Sequence, residues 1–503
     1  GAHSVYVAIA GEVVNRRSVL LIRYCTYTQN AVIINHNCMK RLFFFLISIL
    51  TTNLLFAQTD NYKITIDNFQ ENYNFEKYEE IFNSFSQEMK QTLPLENIKQ
   101  FLSGLKNQVG KIEGKKFISY QQETYATYKT SFEKAVLAVN ISLNKQNQIN
   151  GLFIKPYEEP KKTKSTTINA LNNYPTEVAE IIFSKSKDLP NNTQISTALI
   201  KNGKINYYGI IKVNDTIKST ENQNKVFEIG SITKVFTSTV LASLVIDKKI
   251  KLTDEINTYF PFTFKNNIKI SFESLANHTS GLPRLPENLD LSNETNPYKN
   301  YGKKEIDEYL KNLLKLENEP SKTSSYSNLG AGLLGYTLGL SQKTSFQNIL
   351  QKKVFNKYKM TSSFTSSQNL GNKLVKGLAE NGETVSNWDF DVLFGGGGIL
   401  STTEDLAKFA NAQFNPTNTE LTLIRKPTFD INEDMKIGLG WHILKSENDK
   451  NLFWHNGGTG GYSSSMAINV EEETAVIVLA NVSNINKEID NLCFELINKT
   501  NKK

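Results

Sequence analysis

Residues 227–246 read FEIGSITKVFTSTVLASLVI, and this stretch decides the fold. From Val235 to Ile246 it carries no charge and places apolar residues on nearly every face, so a helix here has to be buried all round. Gly230 allows a tight entry into it. Ser231 and Lys234 are three residues apart, hence neighbours on one helical face. A lysine at the mouth of a buried helix is costly unless it is paired or has lost its proton. A neutral amine beside a serine hydroxyl can take the hydroxyl proton as the oxygen attacks a carbonyl. The alternative is structural: Ser231 caps the helix and Lys234 extends to solvent.

Ser-x-x-Lys by itself has little specificity, since the chain holds five matches, at Ser103, Ser131, Ser142, Ser184 and Ser231. Company separates Ser231 from the rest. Tyr326-Ser327-Asn328 follows 95 residues later, directly before a second apolar, small-residue helix (LGAGLLGYTLGL). His455-Asn456-Gly457-Gly458 follows 127 residues after Asn328, on a strand-like segment. A second Tyr-x-Asn, Tyr298-Lys299-Asn300, lies in a polar loop with no apolar helix behind it and reads as a decoy.

With these motifs the chain resembles the serine β-lactamase and penicillin-binding-protein superfamily, in the branch of class C β-lactamases, D-Ala-D-Ala carboxypeptidases and related esterases. FEIGSITKVFTSTVLASLV, LANHTSGLPRLP, YSNLGAGLLGY, FGGGGILSTTEDLAKFA and WHNGGTGGYSS all look like segments of that branch, in its order. The resemblance implies an α+β fold, an antiparallel sheet flanked by helices with an all-α lobe, over residues 170–503. It implies Ser231 as nucleophile, Lys234 as the base that activates it, and Tyr326 as proton shuttle to the leaving group. Asn328 is then a substrate-amide ligand, unless it only caps the following helix. The N–H groups of Ser231 and Gly458 become the oxyanion donors, with Gly457 letting substrate lie close to the strand. His455 departs from the lysine found at its position in many family members, and Asn456 from the usual Thr or Ser. A histidine is mostly neutral at pH 7, which weakens the case for a substrate carboxylate held there. His278 is expected to order its loop, and Gly395–Gly398 to be a close-approach element and not a phosphate cradle.

No G-x-S-x-G is present, which argues against an α/β-hydrolase. No zinc pattern such as H-E-x-x-H occurs, and only His278, His442 and His455 follow residue 57, so no metal or other cofactor is expected. Of the net charge of +7, residues 1–57 carry +4, which leaves too small an excess to argue for a nucleic-acid partner. Met39-Lys40-Arg41 before LFFFLISIL reads as a secretory signal peptide over 39–57, cleaved after Ala57. Its apolar run is shorter than the ~20 residues of a membrane helix, so no stable membrane span is expected after cleavage. Residues 1–38 make poor sense in front of that signal and read as a non-native upstream segment. The expected location is a bacterial periplasm or the medium, and the expected partner a small-molecule or peptide substrate such as a peptidoglycan stem peptide. Cys25 and Cys38 precede residue 57, leaving Cys493 as the one thiol beyond it and no internal disulfide.

Residues 58–157 read as a separate small α+β module, followed by a charged linker over 158–169. Helical spacing over 75–89 and 95–109 is split at Pro94, and strand-like runs follow at 117–130, 134–143 and 149–154. Two helices on a curved antiparallel sheet resemble the cone-shaped modules of nuclear-transport-factor type, and the module shows no catalytic cluster. In the larger domain, Lys201-Asn202-Gly203-Lys204 signals a hairpin between 197–200 and 205–213. Apolar strands at 463–469 and 474–481 precede a closing helix at 484–499, and Ser401-Thr402-Thr403-Glu404 reads as a capping box.

Overall fold

The structure is a computed structural model, and it describes residues 7–10, 60–121, 125–144, 146–157, 166–290, 295–446 and 449–501. The signal peptide expected at 39–57 lies outside the described residues, as does the upstream segment apart from one short strand, Val7–Ala10. The chain divides into two compact units, Gly1–Thr163 and Lys164–Lys503.

The first unit is α+β. Helices Asp60–Asn74, Tyr78–Asn83, Gln87–Thr92 and Leu95–Val109 precede four consecutive antiparallel strands, Ile112–Gln121, Tyr125–Phe132, Val136–Leu143 and Ile149–Pro156. Two details differ from the pattern reading. The run 117–130 belongs to two antiparallel strands, with Gln121 opposite Tyr125. The helix expected over 75–89 is two short ones. Ser86 starts the second by accepting the N–H of Met89, and its own N–H goes to Ile149 O in the sheet. Helix Asp60–Asn74 escaped the sequence reading because its apolar side is sparse, although Ile66, Phe69 and Tyr73 on it are buried. Ile81, Leu102, Tyr128 and Val139 share that core.

The second unit is built on a ten-stranded sheet. Its order runs Phe429–Asp430, Met435–Ile437, His442–Lys445, Asn451–Gly458, Ser463–Asn469, Thr474–Ala480, Gln194–Lys201, Lys204–Val213, Thr216–Ser219, Ile168–Ala170. All pairs are antiparallel except the last, which is parallel. That edge strand begins within the stretch read as linker. The Asn202-Gly203 turn closes the expected hairpin, with Lys201 opposite Lys204. Thr474–Ala480 pairs with Gln194–Lys201, so strands from the two ends of the domain meet at the sheet centre.

Alternation along the central strands sends Ile477 and Leu479 to one core and Val476 and Val478 to the other. The second core is closed by helices Thr176–Ser186 and Asn486–Asn501, which supply Ile182, Ile489, Leu492 and Leu496. On the first face lies helix Thr233–Ile246, buried from Thr233 to Leu244 as its uniform apolarity demands. Phe236 stacks on Phe409 of helix Thr403–Ala412 with ring centroids 4.4 Å apart. Truncating such a buried aromatic to alanine costs about 3–5 kcal/mol. A helical lobe packs on this side, with helix Asn328–Ser341 at its centre. The cap of helix Thr403–Ala412 is Thr402, one residue later than the expected box. Ser401 is unavailable for that role because it sits in a strand pair with Phe227 and bonds Ser363 through its hydroxyl.

Candidate active site

The entry turn into helix Thr233–Ile246 carries Ser231. Gly230 takes φ +51° there, and a Cβ on it would stand 2.7 Å from Gly458 N. A Cβ on Gly457 would meet Ile229 O and approach Ser231 N to 2.8 Å. The end of strand Asn451–Gly458 therefore lies directly against the serine turn, and only glycine permits the approach. This sets the backbone of Gly457 and Gly458 against the backbone of Ile229–Ser231.

Lys234, the second residue of that helix, is buried, and its Nζ has three polar neighbours. Ser231 Oγ lies at 2.9 Å, Asn328 Oδ1 at 2.8 Å and Gly396 O at 2.7 Å. The last two can only accept. A neutral amine has two hydrogens and one lone pair. Donating to Asn328 and Gly396 uses both hydrogens and turns the lone pair toward Ser231 Oγ–H. Burial, and secondly the charge of Arg284, hold the Lys234 pKa well below its ordinary value, which favours that neutral form.

Asn328 does not cap its helix. Ser327 does, accepting the Gly330 N–H at 2.8 Å, and this frees the Asn328 carboxamide to face the site. Its Nδ2 donates to Tyr298 Oη at 3.4 Å, which fixes Oδ1 toward Lys234. Tyr326 is half-buried with its hydroxyl directed at Ser231, and desolvation pushes its pKa up to about 12. A shift in this direction favours the phenol, which can give a proton as a shuttle requires. Lys234 Nζ stands 4.7 Å from the Tyr326 ring centroid and the Arg284 guanidinium 5.3 Å from it. Since arginine keeps its charge, a second cation beside it on the same ring is the one to give up its proton.

His278, at φ +61°, accepts the Ser327 N–H through Nδ1 at 3.2 Å, and its ring packs 4.6 Å from Tyr326. It holds the Tyr326–Asn328 segment in place. His455 is 1 % exposed, with Nδ1 2.6 Å from Asn456 O and Nε2 lacking a partner among the described residues. Its ring lies 5.2 Å from His442 and 6.2 Å from Tyr326. Burial, then His442 and Lys234, depress its pKa well below the ordinary histidine value, so it stays uncharged in mildly acidic solution as well. A pH-dependent grip on a substrate carboxylate, which an exposed histidine could supply, does not fit this setting. Asn456 points to the opposite face of the sheet, where it donates to Asp490 Oδ2 at 2.7 Å. From the same helix, Asn486 Nδ2 donates to Gly457 O at 2.8 Å.

The beta-lactamase family profile matches residues 192–491. The chain belongs to the beta-lactamase family. Residues 67–152 match a second profile, a protein family of unknown function (DUF3887). Among curated relatives, Protein flp of Staphylococcus aureus strain MRSA252 is 24% identical over 327 residues, 60% of this chain and 62% of that protein. Beta-lactamase-like protein 4 of Dictyostelium discoideum is 30% identical over 309 residues, 53% of this chain and 51% of that protein. A beta-lactamase of Pseudomonas fluorescens is 25% identical over 280 residues, 53% of this chain and 75% of that protein. The chain thus spans less than two thirds of the length of the first two. In structure it is similar to a beta-lactamase/D-alanine carboxypeptidase from Pseudomonas syringae, with TM-score 0.53, 20% identity and coverage of 64% of this chain and 98% of that one. A class C beta-lactamase gives TM-score 0.55 and 19% identity over 65% and 98%.

The beta-lactamase-type fold thus brings Ser231, Lys234, Tyr326, Asn328, Gly457 and Gly458 to one place, with His455 buried behind them. It also brings residues that the sequence reading passed over. Tyr298, set aside as part of a decoy motif, lines the cleft beside Ser231 together with Trp388, Phe390 and Leu393. Its ring stacks on Phe390 at 4.7 Å and meets Trp388 edge-on at 5.4 Å. The loop carrying these aromatics is pinned by Glu228, whose Oε1 accepts Asn387 Nδ2 at 2.7 Å and Trp388 N–H at 2.9 Å. Nothing in the local pattern around Tyr298 marks it, because its partners lie 30 to 92 residues away in sequence. Gly396 entered the reading as part of a close-approach run, whereas its carbonyl is a direct partner of Lys234. Among the described residues no cluster of three potential metal ligands occurs, and no helix is long and apolar enough to cross a membrane.

Proposed function

We propose that this chain is a serine hydrolase that works through an acyl-enzyme on Ser231. The observation that carries the reading is the lone pair of Lys234, left facing Ser231 Oγ by two obligate acceptors. Lys234 takes the hydroxyl proton as Oγ attacks the substrate carbonyl. The oxyanion forms between the N–H groups of Ser231 and Gly458, where losing one donor of this kind costs about 10²–10³ in rate. Tyr326 then gives a proton to the leaving amine or alkoxide, and water releases the acyl group by the reverse sequence. Asn328 presents its Nδ2 edge to a substrate amide carbonyl.

A peptidase or amidase acting on cell-wall-type D-amino-acid peptides is the preferred reading. The aromatic wall of Tyr298, Trp388 and Phe390 supports a carboxylesterase as the second. β-Lactam turnover ranks third, because acylation needs only Ser231, Lys234 and Tyr326 while release needs a well-placed water. The Met39–Ala57 pattern supports export, to the periplasm or beyond. Purified protein should be screened against D-Ala-D-Ala peptides, short p-nitrophenyl esters and nitrocefin, with a fluorophosphonate probe in parallel. Labelling at Ser231 with turnover of one substrate class supports the reading. Absence of both would leave a binding or sensing protein that retains the site.

A further inference from the structure

Among the described residues, most titratable side chains around Ser231 are driven toward their neutral forms. Lys234, His278 and His455 are depressed well below their ordinary pKa values and His442 to about 4, all mainly by burial, while Tyr326 is pushed up to about 12. Arg284 is the exception. It follows Pro283 in the loop that His278 enters, and it keeps its charge because guanidinium does not deprotonate in proteins.

Its position is built. The Arg284 carbonyl accepts the N–H groups of Asn328 at 2.9 Å and Leu329 at 3.1 Å, and Ser327 Oγ donates to Pro283 O at 2.7 Å. The backbone of Arg284 is thereby locked to the segment that supplies Tyr326 and Asn328. Its guanidinium lies 5.3 Å from the Tyr326 ring, on the residue whose hydroxyl faces Ser231. Its charge acts on Lys234, His278, Tyr298 and Tyr326. The side chain is partly exposed, and among the described residues neither a carboxylate nor any other hydrogen-bond partner engages its guanidinium. Stacking on a ring leaves all five N–H donors of the guanidinium edge free.

We propose that Arg284 is the anion-recognition residue of this site, binding a carboxylate carried by the substrate. The proposal deepens the hydrolase reading and rests on it: the substrate class becomes an acyl compound with a negative charge within reach of the loop Pro283–Leu285. A planar fork of donors matches a carboxylate in two-point geometry, so the preference is steric as well as electrostatic.

The test separates recognition from turnover by using the full chain with Ser231→Ala, which cannot form an acyl-enzyme. Calorimetry compares N-acetyl-D-alanyl-D-alanine with its C-terminal amide, and N-succinyl-D-alanyl-D-alanine amide with the N-acetyl amide. The first pair places the carboxylate on the leaving side and the second on the acyl side. At least one anionic ligand should bind about tenfold or more tighter than its neutral counterpart. Adding Arg284→Gln should abolish that preference while keeping neutral-ligand binding, Arg284→Lys should restore part of it, and added salt should weaken it. No preference in the Ser231→Ala protein, or a preference that survives Arg284→Gln, overturns the proposal. Equal loss of neutral and anionic binding also overturns it, making Arg284 a support for Tyr326. A failure of the hydrolase reading shows itself elsewhere, as absence of covalent labelling at Ser231 in the unmodified protein.

Discussion

Two basic side chains flank Ser231, Lys234 from the helix and His455 from the strand, and burial acts on both in the same direction. The consequences are opposite. A lysine that loses its proton gains a lone pair, and the two fixed acceptors Asn328 and Gly396 aim it at the nucleophile. A histidine kept neutral loses the charge that would make it useful to an anionic substrate, and its Nε2 is left without a partner among the described residues. Desolvation alone therefore creates no function. What matters is where the remaining hydrogen-bonding capacity of the neutral group points.

The largest effect that would break this contrast is loss of the nucleophile itself. Ser231→Ala should abolish labelling by penicillin-type or fluorophosphonate probes with an unchanged circular dichroism spectrum. Labelling at the wild-type level would falsify the assignment of Ser231.

Next comes Lys234→Ala, expected to lower the acylation rate by about 10²–10⁴ in stopped-flow measurements. Wild-type acylation in that variant would mean that another group takes the Ser231 proton. The working form of Lys234 is the neutral one, present above its pKa, so kcat/KM should fall as pH falls through that value. Because the pKa is depressed well below 10.5, the acid limb should lie far below the ordinary lysine range.

A smaller change sharpens the same point. The Arg284 charge contributes to lowering the Lys234 pKa, so Arg284→Leu should move the acid limb for a neutral ester upward in pH. An unmoved limb would mean that burial alone sets the base.

On the strand side, His455→Gln should change neutral-ester turnover by less than about tenfold and leave the acid limb in place, since His455 carries no charge to lose. A limb that disappears in this variant would make His455 the titrating group and reverse the comparison.

The smallest effect lies behind the strand. Burial raises the Asp490 pKa to about 7, above its unfolded value near 3.8. A carboxyl whose folded pKa is raised contributes stability in its neutral form at low pH, and that contribution is lost as pH rises from about 4 through about 7. Asp490→Asn keeps an acceptor for Asn456 and removes this dependence. The difference in Tm between pH 5 and pH 8 should shrink in the variant, and an unchanged difference would show that Asp490 ionises in the fold without penalty.

Local pattern carried much of the second unit. The uniform apolarity of 235–246 called for a helix buried on every side, and alternation at 463–469 and 474–481 called for strands, because burial leaves a periodic record in sequence. The first unit was harder to read. Helix Asp60–Asn74 has a thin apolar side, and the run 117–130, which holds parts of two strands, contains no Gly, Pro or Asn to separate them.

The sequence by itself determined Ser231 and Lys234 as a neighbouring pair, since a three-residue spacing on a helix is a local fact, and it determined the order of the motifs. The tertiary structure alone decided which partners surround that pair. Asn328 and Gly396 reach Lys234 from 94 and 162 residues away, Tyr298 enters from a loop that looked inert, and Arg284 stands over Tyr326 from a different loop. It also decided that His455 is buried and Asn456 turned to the opposite face. Spacing encodes neighbours along one helix or strand, whereas the desolvation and hydrogen-bond partners that set a protonation state come from segments the chain brings together only on folding.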